Sequence, residues 1–262
     1  MRASETLWHA ALGDDPGRWP LPAAVTPEER WLRAVAAGGQ GRYGSATAEL
    51  AVLRRETGGG ALASLALSTQ GSFLRQLGGH DAARAWDGRA LRLADSDVQA
   101  TVDALLGLAA DALGVGRFAT SAALLERAQT DLDGESTPAR LPIRSQWVAA
   151  ELAMSRGDGA AAVTHAEQAA ELAGRHESVR HQVKSQVVRA AALCCAGRID
   201  EARHAADDAL CATERFSLIP LRWGVASLLV DIADSPATRQ DALAIRDACA
   251  ESVRRAGGVW RR

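Results

Sequence analysis

Short turns that contain glycine recur along this sequence at a nearly constant distance, and their spacing is the strongest constraint on the fold. Successive reference glycines are separated by 37, 38, 41 and 40 residues. These reference glycines are Gly41, Gly78, Gly116, Gly157 and Gly197. A sixth turn, around Ala237, lacks glycine and continues the series after a further 40 residues. Repetition with a period of about 20–50 residues is typical of arrays in which each unit is one supersecondary element.

Small residues recur at two fixed distances from these turns. Seven residues before the reference position stand Ala34, Gly71, Ala109, Ala150 and Ala190, with the larger Val230 in the sixth unit. Five residues after it stand Ala46, Ala83, Ser121, Ala162, Ala202 and Ala242. Small residues that face each other let two helix axes approach to the short end of the usual range of about 8–10 Å. Each unit is therefore predicted to be a helix hairpin, and the hairpins must stack because one alone cannot bury its apolar face.

The composition supports helices and argues against two other classes of protein. Alanine, the best helix former, accounts for 56 of the 262 residues, whereas aromatic residues make up only 4%. This composition excludes an all-β protein. The 30 basic and 32 acidic residues give a formal net charge of −2. A general nucleic-acid binder needs a basic field to displace counterions, so we expect no nucleic-acid partner.

The turn residues resemble those of tetratricopeptide repeat proteins. Gly41-Arg42-Tyr43-Gly44-Ser45-Ala46 has the glycine, the aromatic residue and the small residue of that family's unit, and Gly197-Arg198-Ile199-Asp200-Glu201-Ala202 is similar. The resemblance covers about residues 28–255. It departs from the family in its longer repeats, since the usual period is about 34 residues, and in lacking most of the consensus Trp and Pro. The resemblance implies an all-α fold, a right-handed α-solenoid of about six helix–turn–helix repeats.

The repeats divide the chain into three parts. Residues 1–27 are predicted to form a capping helix and a Pro-rich loop, residues 28–256 the helical repeat domain, and residues 257–262 a frayed C-terminal tail. Solenoids need atypical ends, so we expect the N-terminal segment to cover the first repeat. The alternative is an arm that swaps onto a groove or occupies it.

Localisation is predicted from what the sequence lacks. The first 25 residues show no basic segment leading into an apolar one, and no window approaches the run of about 18 apolar residues that spans a membrane. Two of the four cysteines, Cys194 and Cys195, are adjacent, and Cys211 and Cys249 follow, which is not the pattern of a disulfide framework. We expect free thiols in a cytoplasmic protein that does not insert into membranes.

No motif in the sequence supports catalysis. His176 and His181 are separated by five positions, about 140° apart on a helix, so they cannot share one zinc ion. The segment Asp131-Leu132-Asp133-Gly134 lacks the remainder of a calcium loop. Gly58-Gly59-Gly60 is not followed by the lysine of a phosphate-binding loop. We therefore expect no catalytic residue, no metal and no cofactor.

The resemblance also implies a binding surface. In tetratricopeptide repeat proteins the first helix of each hairpin lines a concave groove that binds partner segments. Carried over by position, the predicted partner-binding residues are Ser68, Ser72, Arg75, Asp103, Leu106, Arg144, Trp147, Glu151, Lys184, Val187, Ser227 and Asp231. Arg75, Arg144 and Lys184 would pair with an acidic segment or a C-terminal carboxylate, and Trp147 would be an apolar anchor. The alternative is that Trp147 is core between repeats and the charges are simply solvated.

Two functions follow from this surface. The first is a non-enzymatic adaptor or scaffold that binds another protein or peptide in the groove. The alternative is a regulatory sensor that binds a peptide or small ligand there and changes curvature. An unfinished solenoid end would also expose apolar surface, so a homodimer is a further possibility.

Overall fold

The computed structural model describes residues 2–132 and 137–260, and this part of the chain is all helical. Its thirteen helices are α1 (Ala3–Leu12), α2 (Pro27–Gly39), α3 (Tyr43–Thr57), α4 (Gly60–Gln76), α5 (His80–Leu93), α6 (Val98–Gly114), α7 (Phe118–Leu132), α8 (Arg140–Ser155), α9 (Gly159–Gly174), α10 (Val179–Cys195), α11 (Ile199–Arg215), α12 (Ile219–Ile232) and α13 (Pro236–Arg255). The predicted fold class is confirmed. The calcium-loop fragment lies partly outside the described residues. None of the described helices combines the length and apolarity that crossing a bilayer requires.

The helices after α1 form six consecutive hairpins. Each helix packs against the next along the chain, and the first helix of each hairpin also packs against the first helix of the following one. Five of the turns use the reference glycines, whose φ angles lie between +75° and +82°. Residues with a Cβ atom are disfavoured in this left-handed region, which is why glycine recurs there. The sixth hairpin ends its first helix early and starts α13 with the Ser235 hydroxyl, which accepts a hydrogen bond from the Thr238 amide.

The predicted small positions lie at the centre of the hairpins. Fully buried residues at these positions are Ala34, Ala46, Ala83, Ala109, Ser121, Ala150, Ala162, Ala190 and Ala202. No side-chain bulk separates the two helices of a hairpin there. Longer side chains such as Leu105 and Leu193 are buried in clusters that include residues of the neighbouring hairpin.

The first and last hairpins are in contact, so the array is closed. Val253 of α13 is buried in the same core as Tyr43 and Leu50 of α3. The ring of Trp260 packs on Trp223 of α12, with ring centroids 4.5 Å apart. The tail is predicted from the sequence to be frayed, but within the described residues its Trp260 ring is packed. The expected open end that suggested a homodimer is covered by the chain itself.

The N-terminal arm, residues 2–26, crosses from the first hairpin to the fifth. Leu7 of α1 is fully buried against α2, as expected of a cap. The Val179 amide, at the start of α10, donates to the carbonyl oxygen of Gly13 at 3.1 Å. The arm then returns to the first turn, where the side-chain amide of Gln40 donates to the Pro16 and Arg18 carbonyl oxygens, both at 2.9 Å. The arm thus covers the first hairpin and also joins it to the far side of the array.

Candidate functional site

Closure of the array converts its concave side into a central cavity of about 430 Å³. The first helices of all six hairpins contribute to the wall, and Leu12 of the arm completes it. The sequence predicts a concave surface lined by the first helices, and the cavity lies on that side of the array. The sequence does not predict that the chain ends meet.

Ten of the twelve predicted binding residues line this cavity. They are Ser68, Ser72, Arg75, Asp103, Leu106, Arg144, Trp147, Glu151, Lys184 and Val187. The other two, Ser227 and Asp231, do not. The Ser227 hydroxyl donates to the Trp223 carbonyl oxygen of its own helix at 2.8 Å, and Asp231 is exposed.

A drift along the array explains these two exceptions. Helix α4 reaches the cavity with its C-terminal half, from Ser68 to Gln76, whereas α12 reaches it with its first turns, from Pro220 to Gly224. The level at which each helix meets the cavity therefore shifts toward its N-terminus as the array proceeds. Positions ten and six residues before the turn therefore line the cavity in the second to fourth repeats. Ser227 and Asp231, at the same positions in the last repeat, do not.

Trp147 lines the cavity and also joins two repeats. Its indole N–H donates to the Ser185 hydroxyl of the next first helix at 2.8 Å, and its ring stacks on His181 with centroids 5.3 Å apart. Trp31 makes the equivalent bond to the Thr69 hydroxyl at 3.0 Å. The two interpretations of Trp147 from the sequence, groove residue and inter-repeat contact, are thus both realised in one side chain.

A buried carboxylate at the cavity wall binds two arginines. Asp103, only 3% exposed, accepts from Arg140 at 3.0 Å and from Arg144. Burial by itself would raise the pKa of Asp103, but the two guanidiniums outweigh this effect and lower it. Arg144, which the sequence predicted to bind a partner, is therefore engaged within the chain.

A third arginine beside this pair has no acidic partner among the described residues. Arg180 donates one bond through Nη2 to the Ala11 carbonyl oxygen at 3.4 Å, and its inaccessible Nε has no acceptor in the described structure. Burial, followed by repulsion from Arg144 and Arg140, lowers the pKa of Arg180 to about 10. The group remains charged at neutral pH, so three neighbouring guanidiniums lie in the wall, and only Arg140 and Arg144 are paired with Asp103. We call Arg140, Arg144, Arg180 and Asp103 the arginine cluster.

The sequence prediction missed Arg140 and Arg180. Both stand seventeen residues before a reference glycine, Gly157 and Gly197, and this recurrence was the available signal. The predicted positions reach only thirteen residues before each reference glycine. The cavity shifts toward the N-termini of α8 and α10, so the first turns of these helices, with Arg140 and Arg180, also line its wall.

The remaining cavity cations are neutralised by the chain itself. Lys184 binds Glu151 at 3.0 Å. Arg75 binds Asp111 of α6 at 3.0 Å and also Asp87 of α5, both of which are fully buried. None of these groups offers a free charge to a ligand.

Asp87 and Asp111 are two carboxyl groups that share one guanidinium. Burial raises the pKa of both carboxyl groups, that of Asp111 to about 7. Arg75 opposes this effect, but its single positive charge can neutralise only one of the two. One carboxyl therefore holds a proton near neutral pH. Gly71 and Gly107 make room for the pair, since a Cβ atom at either position would overlap the Asp87 carboxyl group.

The histidines at the cavity add no positive charge at neutral pH. Burial, followed by the neighbouring guanidiniums, lowers the pKa of His181 well below its usual value, and burial, followed by repulsion from Arg75, lowers the pKa of His80. Within residues 2–132 and 137–260, no group of three or more His, Cys, Asp or Glu side chains is arranged to hold a metal ion. The ionic chemistry of the cavity wall is therefore that of the arginine cluster.

No protein-family model matches this chain, and no curated protein matches it. The tetratricopeptide resemblance accordingly stays a prediction from the turn residues. The architecture and the charge of the cavity are the features from which a function can be proposed.

Proposed function

We propose that this chain is a non-enzymatic regulatory sensor that binds a small ligand or a short peptide in its central cavity. The observation that carries the proposal is the central cavity, to which all six first helices contribute. Its volume of about 430 Å³ lies within the range of about 300–1,000 Å³ that is usual for small-molecule sites. Its wall combines apolar side chains with a few charged ones, the composition usual for such sites.

The same geometry gives less support to an adaptor that binds a long partner segment. The hydrogen bond from the Gly44 amide to the Ala256 carbonyl oxygen joins the first hairpin to the last, and Leu12 of the arm forms part of the wall. An extended segment could lie along the groove only after these contacts had separated. The adaptor is therefore our second hypothesis, and it requires an opened array.

A ligand in the cavity would be placed to change the array. It would touch helices from every hairpin, and Arg180 in the wall also holds the arm through Ala11. A ligand that binds the closed array more tightly than an opened one stabilises the closed state by that difference in affinity. Regulation would then consist of a change in how firmly the arm and the last hairpin are held.

The test is a thermal-shift screen of small metabolites and short peptides against the wild type and two variants. Ala110→Trp fills the cavity from α6, whereas Val115→Trp adds the same side chain at an exposed position. A ligand at 100 times its Kd stabilises a protein by about 2.7 kcal/mol, which is readily detected. We expect compounds that raise the Tm of the wild type and of Val115→Trp but not of Ala110→Trp.

Two results would contradict the proposal, provided that circular dichroism shows Ala110→Trp to be folded. One is a set of compounds that stabilise Ala110→Trp as much as the wild type, which would place binding outside the cavity. The other is a broad screen without any compound that raises the Tm of the wild type.

A further inference from the structure

We infer that the cavity binds an organic anion, a carboxylate or phosphate carried on an apolar body, with the anionic group at the arginine cluster. This inference rests on the proposed function and names the chemical class of its ligand. It follows from the charge balance of the wall, from an unused donor and from the side chains around the cluster.

The charge balance comes first. Among the described residues the cluster holds three guanidiniums against Asp103 alone, which leaves two positive charges without a counterion. The other cations of the wall, Arg75 and Lys184, already have carboxylate partners. An uncompensated charge in a site sheltered from water is costly, and an anion that enters offsets that cost.

The unused donor is on Arg180. Its Nε is shielded from solvent and has no acceptor in the described part of the chain. A ligand in the cavity would not reach that shielded atom, but it would meet the rest of the guanidinium, whose one hydrogen bond among the described residues runs from Nη2 to the Ala11 carbonyl oxygen at 3.4 Å. Guanidinium groups present a planar fork of donors that matches carboxylate and phosphate oxygens.

The helix ends near the cluster favour the same sign of charge. Arg140 is the first residue of α8, and Arg180 is the second residue of α10. The N-terminus of a helix carries a partial positive charge that attracts anions. The two helix ends thus reinforce the field of the guanidiniums.

The side chains around the cluster call for an apolar body on the ligand. Trp31 lies beside Arg140, with the guanidinium 5.9 Å from the ring centroid, and Trp147 lies similarly beside Lys184. Leu106 and Val187 extend this apolar wall. A bare inorganic ion would leave these surfaces uncovered, whereas an organic anion would bury them.

The test uses two fluorescent probes with the same ring system. 1-Anilinonaphthalene-8-sulfonate carries a negative charge, and N-phenyl-1-naphthylamine carries none. Arg180→Gln removes a charge without breaking an ion pair, and Arg175→Gln is the control, in which the lost charge is exposed and paired only with the exposed Glu171. We expect Arg180→Gln to weaken binding of the anionic probe at least about tenfold, which corresponds to the loss of one charge-assisted hydrogen bond. Binding of the neutral probe should change less than about twofold, and Arg175→Gln should leave both affinities unaltered.

The outcomes separate the inference from the function on which it rests. Suppose that Ala110→Trp abolishes binding of the neutral probe and that the wild type binds the anionic probe no more tightly than the neutral one. The proposed cavity function then stands, and the inference of an anionic ligand is overturned. The inference also falls if Arg180→Gln weakens both probes equally while Arg180→Lys restores neither. If neither probe binds the wild type in the cavity, both proposals fail.

If the anionic probe binds in the cavity, competition by 1-naphthoate and by 1-naphthyl phosphate ranks the carboxylate against the phosphate.

Discussion

The backbone amide of Gly44, at the start of α3, donates a hydrogen bond to the carbonyl oxygen of Ala256, just beyond the end of α13, with the two atoms 2.8 Å apart. This bond joins the second helix of the first hairpin to the second helix of the last. Together with the packing of Val253 on Tyr43, it defines a seam between the two ends of the chain. This seam closes the ring of hairpins that surrounds the cavity.

The seam can be tested at Gly41. A Cβ atom there would lie 3.3 Å from Val253 Cγ2 and 3.5 Å from Pro220, whereas Gly197 has the same left-handed backbone with no atom within 4 Å. Asn tolerates this backbone region, so Asn at either position isolates the effect of bulk. We expect Gly41→Asn to lower the free energy of unfolding by about 1–2 kcal/mol more than Gly197→Asn does, because overpacking usually destabilises a fold by an amount of this order. Urea unfolding measures this difference, and equal losses would show that Gly41 does not lie in a tight contact.

Asp103 is predicted to be the most sensitive charged residue of the wall. Asp103→Asn leaves the guanidiniums of Arg140 and Arg144 without their carboxylate, and breaking a buried ion pair costs about 3–5 kcal/mol. The control is Asp200→Asn, whose carboxylate is exposed and binds Arg203, and which should cost at most about 1 kcal/mol. Urea titrations with and without inorganic phosphate measure both effects. Phosphate should stabilise Asp103→Asn more than the wild type, and equal stabilisation would speak against an excess of positive charge there.

Asp111 is predicted to make the fold less stable as the pH rises. The pKa of its buried carboxyl is raised to about 7, so between about pH 4 and pH 7 the folded chain holds a proton that the unfolded chain has released. Asp111→Asn mimics the protonated form and should be more stable than the wild type by about 2–4 kcal/mol at pH 8, with no difference near pH 4.

The histidines require this prediction to be measured as a difference. The pKa of His181 is lowered, so its contribution to stability is lost as the pH falls below its unfolded value, opposite in sign to that of Asp111. Both proteins carry His181, and its effect cancels when their unfolding curves are subtracted at each pH. A difference that stays constant from pH 4 to pH 8 would show that Asp111 has an ordinary pKa.

The hairpins could be predicted from the sequence because their causes are local. A glycine with positive φ and two small residues at fixed distances, such as Ala34 and Ala46, determine a turn and a close helix pair within a few turns of chain. Stacking then follows from the need to bury the remaining apolar face. The turn glycine and the small residue before it each recur five times, and the small residue after it recurs six times, which makes the pattern easier to recognise.

The site could be predicted only in part because its causes are not local. The positions predicted from the resemblance include Leu106 and Trp147, which line the cavity in the middle of the array, where a fixed distance from the turn holds. The resemblance failed at Ser227, where the cavity had drifted along the helix. It could not anticipate that Arg180 would meet Ala11, since that contact depends on the accumulated rotation of four hairpins.

The seam has a consequence for how such a chain can change over time. An open stack can gain or lose a unit, because each unit needs only its immediate neighbours. Here the amide of Gly44 meets the carbonyl oxygen of Ala256 only because six hairpins bring them back together. A duplication or deletion of one hairpin would separate these partners and expose the apolar faces around Val253. The contact between the two ends of the array therefore fixes the number of hairpins.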